Sequence, residues 1–190
     1  DEVRLDFSAE SDEDTLYNPT SHAYFNPAGI DTDARELTLQ LKSPRHLEFR
    51  EDQIPTGKLL ETAGTPFDFQ TPAKIGDKIA EMNGAYDAKF DDAFELVYPA
   101  GTPSAIVTDE KSGRSIEMTT DRNAVIFFIT NPAVADHEGD LDWFEANPYN
   151  AVALEAQTLS DAIHHPEFGD IVLPAGEKRS YTTTYAFKNL

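Results

Sequence analysis

Tyr17-Asn18-Pro19-Thr20-Ser21-His22-Ala23-Tyr24-Phe25-Asn26-Pro27-Ala28-Gly29 is the stretch on which the reading of this chain turns. His22 sits between turn-forming residues and the aromatic pair Tyr24 and Phe25. Asn18 and Asn26 flank it, and each precedes a proline, which biases the preceding residue away from helix. The pattern predicts a short rigid segment beside a buried aromatic patch. Such a segment either fixes an imidazole at a pocket floor or buries an inert histidine at a sheet edge. The stretch alone leaves both readings open.

Outward from it, alternation dominates. Val3, Leu5 and Phe7 alternate with polar residues, as a half-buried strand does. Glu36 to Gln40, Leu47 to Arg50 and Lys58 to Glu61 repeat the pattern, as does Phe90 to Tyr98 with Phe94, Leu96 and Tyr98 on one face. Ala105 to Thr108 and Ser115 to Thr119 flank Asp109-Glu110-Lys111-Ser112-Gly113, a hairpin signal with glycine in the turn. Val125 to Ile129 is a continuous apolar run and predicts a central strand. Ala151 to Leu154 leads into Glu155. The last strand runs from Arg179 to Lys188 after the turn Pro174-Ala175-Gly176-Glu177. Lys74 to Met82, with Ile75, Ile79 and Met82 at helical spacing, predicts one short helix closed by Asn83-Gly84. Asn131 to Asn150 reads as a long irregular segment holding the single tryptophan, Trp143. The sum is roughly nine or ten strands with little helix, an antiparallel all-β sandwich or open barrel in one domain.

Composition narrows the function. The 190 residues include 35 acidic and 15 basic side chains, a formal charge of -20. That disfavours nucleic acid and anionic membrane as partners and favours a neutral or cationic ligand. There is no cysteine, so disulfides and thiolate chemistry are excluded. No apolar run approaches the roughly 18 residues of a spanning helix. The chain opens on Asp1 without Met and runs straight into a strand pattern, as a processed or excised piece would. Phosphate-loop, dinucleotide and nucleophile-elbow motifs are absent.

His164 and His165, with Asp161 and Glu167 nearby, could form a metal cluster, but adjacent histidines in a loop are more simply exposed. Glu155 stands out more, because it follows the apolar run Ala151-Val152-Ala153-Leu154. A buried glutamate is costly unless paired or used, which points to a raised pKa and proton transfer. A place on the solvent face of a strand explains it equally well. Asp91, at the start of a strand after Phe90, either faces a pocket or caps a turn.

Together these three places resemble the aldose 1-epimerase (galactose mutarotase) family. Ser21-His22-Ala23-Tyr24-Phe25-Asn26-Pro27-Ala28-Gly29 is similar to its histidine motif N-H-x-Y-F-N-L-x-G. Phe90-Asp91-Asp92-Ala93-Phe94 resembles its F-D-x-x-F segment. Leu154-Glu155-Ala156-Gln157 resembles its L-E-x-Q segment, with His165-Pro166-Glu167-Phe168 following in the expected loop. Ile54-Pro55-Thr56-Gly57, Thr65-Pro66-Phe67-Asp68-Phe69, Lys111-Ser112-Gly113-Arg114 and the Pro174 to Glu177 turn add smaller matches in the same order.

The resemblance implies an antiparallel β-supersandwich with a sugar cleft on one sheet, and an enzyme that interconverts the α and β anomers of a free aldohexose such as galactose or glucose. No metal or cofactor is implied. Glu155 would be the general base and His22 the general acid, on opposite sides of the sugar. Asp91 would hold sugar hydroxyls, with Tyr24, Phe25 and Asn131 as further substrate-binding residues. Trp143 is a candidate stacking face.

The chain also departs from the family pattern. Ser21 stands where Asn is usual, Pro27 where Leu is usual, and Ile126 or its neighbours where a sugar-contacting Gln is frequent. The family's N-terminal part, with an Asn-Arg pair and a second histidine, has no match. The expectation is therefore the later part of the family fold only, an incomplete sandwich with sheet edges and a core face uncovered, completed by a missing N-terminal segment or a complementary chain. A homodimer and a cytoplasmic location are compatible with this reading. The rival readings are a hexose-6-phosphate epimerase, which would need a cluster of basic residues, a non-catalytic carbohydrate-binding sandwich, and a purely structural acidic β domain.

Overall fold

The structure, a computed structural model, describes residues 1–29, 31–84, 89–97, 101–131 and 148–189. In chain order its strands are β1 (Glu2–Glu10), β2 (Thr15–Leu16), β3 (Tyr24–Phe25), β4 (Thr38–Leu41), β5 (Arg45–Phe49), β6 (Pro55–Glu61), β7 (Ala73–Lys74) and β8 (Asp91–Glu95). They continue with β9 (Ala105–Asp109), β10 (Arg114–Thr120), β11 (Ala124–Ile129), β12 (Val152–Gln157), β13 (Val172–Leu173) and β14 (Lys178–Asn189). The one α-helix among the described residues, α1 (Ile75–Glu81), buries Ile75 and Ile79.

Two six-stranded antiparallel sheets face each other. One has the order β1-β14-β10-β9-β4-β7, the other β3-β12-β11-β8-β5-β6. Their inner faces supply one core, in which Phe69, Phe90, Phe94, Phe127, Leu154 and Tyr185 are buried. The Tyr185 hydroxyl, on β14, crosses the sandwich and donates to the Leu154 carbonyl of β12 at 2.7 Å. The expected uncovered core face is therefore absent among the described residues, since both sheets bury theirs against each other.

The second sheet also has a partly covered outer face. There Leu47, Ala93 and Ala124 pack under Leu159, Ala162, Phe168 and Ile171, contributed by the segment between β12 and β13. On β12 five of six residues are buried: Val152, Leu154 and Ala156 face the core between the sheets, and Ala153 and Glu155 lie on the other face. Gly57 in β6 has a positive φ of 84°, and a β-carbon there would fall 2.2 Å from the His165 ring. Only glycine lets that loop close onto the strand.

Candidate active site

Register brings the two candidate proton carriers together. In the antiparallel pair β3–β12, Tyr24 lies opposite Ala153 and Phe25 opposite Val152. Continuing that register back by two positions sets residue 22 across from residue 155. Residues directly opposite share a face of the sheet. Tyr24, Ala153, Phe128 and Asp91 thus form one row across four strands, and Glu155, Ile126 and Ala93 form the next.

The side chains follow. His22 Nε2 lies 3.2 Å from Glu155 Oε1, with the carboxylate side chain 10% exposed and the imidazole 47%. The His22 ring contacts Tyr24 at a centroid distance of 4.9 Å and meets Phe128 edge-on at 5.4 Å. Burial raises the Glu155 pKa, the Asp91 charge raises it further, and His22 opposes both. Asp91 is raised by the same drying of the sheet face, against Lys89 and His22, although its exposed position lets water limit the effect. Tyr24 is raised by burial and by the two carboxylates. The result is a reluctant carboxylate touching an imidazole above an aromatic wall, a pair able to take and give protons.

The His22 segment has no ladder of its own before Tyr24, and a polar clamp holds it. The Asn18 amide donates to the Thr158 carbonyl at 3.1 Å, and the Thr158 N–H donates back to Asn18 Oδ1 at 2.9 Å. The Arg122 guanidinium donates to both Asn18 Oδ1 and Thr158 Oγ1. Its plane lies over the Tyr181 ring, 3.6 Å from the centroid. The segment from 18 to 24 is thus pinned at both ends to the stretch from 158 to 153, and the two reactive groups lie between the pins.

Of the residues singled out in the sequence, His22, Glu155 and Tyr24 meet, and Asp91 shares their sheet face two strands away. His22 and Glu155 are neighbours, where opposite sides of the sugar were expected. Phe25 does not join them. Strand alternation turns it to the inner face, where it packs on Tyr185 at 4.8 Å. Asn131 is buried just past β11, and its amide donates to the Ile129 carbonyl at 3.1 Å. Trp143 lies outside the described residues. His164 pairs with Asp161 and His165 with Glu167, and among the described residues no three His, Asp or Glu side chains gather around a metal-sized space. Sequence reasoning missed Phe128, hidden in a continuous apolar run, and the Asn18–Arg122–Thr158 clamp. It also missed a cavity of about 550 Å³ that begins at Asp91.

The sequence model of the Aldose 1-epimerase family matches residues 1–186. The chain is 38% identical over 189 residues to the maltose epimerase of Levilactobacillus brevis, covering 98% of this chain and 54% of the relative. It is 35% identical over 190 residues to the aldose 1-epimerase of Streptococcus thermophilus, covering 93% and 50%. It is 29% identical over 196 residues to the galactose mutarotase of Homo sapiens, covering 98% and 54%. Among solved structures, an aldose epimerase homologue from C. elegans superposes with a TM-score of 0.84 at 23% identity, over 100% of this chain and 56% of its own. Galactose 1-epimerase from Lactobacillus acidophilus gives 0.79 at 24% identity, over 99% and 53%.

The structural likenesses carry the fold, an all-β antiparallel sandwich. They correct the expectation of an incomplete sandwich, since the two facing sheets of this chain superpose on those structures throughout. The family match begins at residue 1, and the superposition leaves no part of this chain unmatched. The chain spans about half the length of the curated relatives it matches. The chain belongs to the aldose 1-epimerase family.

Proposed function

We propose that this protein interconverts the α and β anomers of a free aldose by acid–base opening and closure of the ring. The observation that carries the reading is the contact at 3.2 Å between His22 and the buried Glu155 carboxylate on an aromatic-walled sheet face. The anomeric hydroxyl oxygen and the ring oxygen are bonded to the same carbon, so an adjacent base and acid can reach both. Glu155 takes the proton of the anomeric hydroxyl and His22 gives one to the ring oxygen. The C1–ring-oxygen bond breaks, leaving an open-chain aldehyde. Rotation about C1–C2 presents the other carbonyl face, and the ring closes with the two proton transfers reversed.

Asp91 accepts hydrogen bonds from hydroxyls on the far side of the ring, and Tyr24 and Phe128 form an apolar wall. No cofactor takes part in this scheme. A neutral sugar suits a chain of charge -20. Only the reducing end reacts, so the substrate class includes free hexoses and, as the name of the Levilactobacillus brevis relative suggests, a reducing disaccharide.

Polarimetry of freshly dissolved α-D-glucose or α-D-galactose tests the reading. Glu155→Gln lowers the catalysed rate by about 10²–10⁴ while sugar binding, followed by calorimetry, persists. An unchanged rate removes Glu155 as the base. Sugar binding with no acceleration of anomer exchange in the unaltered protein marks a carbohydrate-binding module instead.

A further inference from the structure

The His22 ring lies 4.9 Å from the Tyr24 ring and 5.4 Å from the Phe128 ring, centroid to centroid. Those two residues flank Ala153 in one row of the sheet face, and Asp91 ends that row. The imidazole therefore lies over this row and reaches Glu155 in the next. On the anomer-exchange reading, on which this inference rests, three anchors orient the sugar. The ring oxygen is at His22, over the Phe128 row. The anomeric hydroxyl is at Glu155, and the hydroxyls across the ring are at Asp91. C2 is bonded to C1 on the side opposite the ring oxygen. It therefore falls over the other row, where Ile126 lies opposite both Glu155 and Ala93.

That row is apolar beyond Glu155. Ile126 is half-buried and packs, with Ala93, in the cluster that holds Leu47, Leu159 and Phe168. Glu155 itself is engaged, one oxygen with His22 and the other with the anomeric hydroxyl. The next row along the sheet holds Gln157 and Glu95, on either side of Ala124. The Gln157 amide donates to the Thr158 carbonyl at 3.5 Å, and Glu95 accepts from Arg45 at 2.7 Å. A site that hydrogen-bonds a hydroxyl rejects the analogue lacking it, because its own polar group is left unpaired. An apolar floor leaves nothing unpaired.

We infer that Ile126 is a specificity-determining residue, which makes the site indifferent to the hydroxyl at C2, so that 2-deoxyaldoses react alongside their parent sugars.

The test is polarimetry of glucose, 2-deoxyglucose and 4-deoxyglucose, each corrected for its spontaneous rate. In the unaltered protein kcat/KM for 2-deoxyglucose stays within about fivefold of glucose, whereas 4-deoxyglucose, which lacks a hydroxyl for Asp91, falls about 10–10²-fold. Ile126→Gln places an amide under C2 and raises the ratio of glucose to 2-deoxyglucose about tenfold, and Ile126→Val leaves the ratio as it was. The ratio compares two sugars in one protein, so a general loss of folding does not move it. A larger loss with 2-deoxyglucose in the unaltered protein, or an unchanged ratio in Ile126→Gln, overturns the inference. If no anomer exchange is accelerated, the anomer-exchange reading fails. Calorimetry then decides the C2 contact. Equal affinity for glucose and 2-deoxyglucose upholds it, and tighter binding of glucose overturns it.

Discussion

A carboxylate costs free energy when it leaves water, and Glu155 leaves most of it between Leu154 and Ala156 on a largely apolar strand. The sequence marked the position by that contrast but could not say which face the side chain takes. Register resolves it, because opposite partners share a face and Tyr24 is paired with Ala153. Ile126, between Glu155 and Ala93, shows that the middle of the site floor is apolar, which dries the carboxylate further. A pH profile follows from the signs. Burial and Asp91 both raise the Glu155 pKa, and the base must be ionised to act. Activity therefore rises with pH through a value above the ordinary glutamate pKa of about 4.3. In the kcat/KM profile from polarimetry, the acidic limb lies above that value. Asp91→Asn moves the limb down, whatever it does to the maximum, because one raising charge is gone. A limb at or below the ordinary value would contradict the assignment of Glu155 as the base.

Among elements, the segment from 17 to 23 is the least regular part of the site, and its placement depends on β12. Long strands were legible because alternation is local. The two-residue strands β2, β3, β7 and β13 were not, since so short a pattern has no period. β11 was legible as a strand, but both of its faces are lined with apolar residues, so nothing in its run marked Phe128 as the residue facing His22. The Asn18 clamp was illegible for another reason, because Asn18 and Thr158 are 140 residues apart. Its consequence is measurable. Asn18→Ala removes three of the hydrogen bonds described above, two to Thr158 and one from Arg122. His22 then loses its upstream pin, and a misplacement of about 1 Å costs up to about 10² in rate. The expected result is a fall in kcat with KM little changed, and a fall smaller than that of Glu155→Gln. Asn18→Asp keeps the accepting oxygen and restores part of the rate. A variant that loses melting temperature but keeps kcat would confine the clamp to a structural role.

For the whole molecule, the sequence predicted the sandwich but not its closure, because pairing of two sheets across a core is set by contacts that alternation does not encode. Closure places two titratable groups where water is scarce, and they act on stability with opposite signs. The His46 ring is stacked on Phe67 at 3.9 Å, and burial holds its pKa at about 4. Since the unfolded value is about 6.5, its contribution is present above that pH and is lost as pH falls toward 4. Asp92 lies opposite Phe127, and burial raises its pKa to about 7. Its folded value exceeds the unfolded one, so its contribution is present below about 3.9 and is lost as pH rises through 7. Above pH 7 the fold therefore holds an ionised Asp92 against its burial cost. Asp92→Asn removes that cost and keeps an oxygen able to accept from the Asp91 N–H, which the carboxylate now does at 3.1 Å. The expected gain at pH 8 is about 1–3 kcal/mol, or several degrees of melting temperature in a chain of this size. The gain shrinks toward pH 4, where the wild-type group is neutral in the fold. Removing one of many surface charges would also stabilise a chain of charge -20, but salt screens that repulsion. Thermal melts at pH 8 in 0.5 M salt separate the two, since relief of burial persists there and relief of repulsion does not. A melting temperature that is unchanged or lower in Asp92→Asn at pH 8 would show that the sandwich carries no such cost at this position.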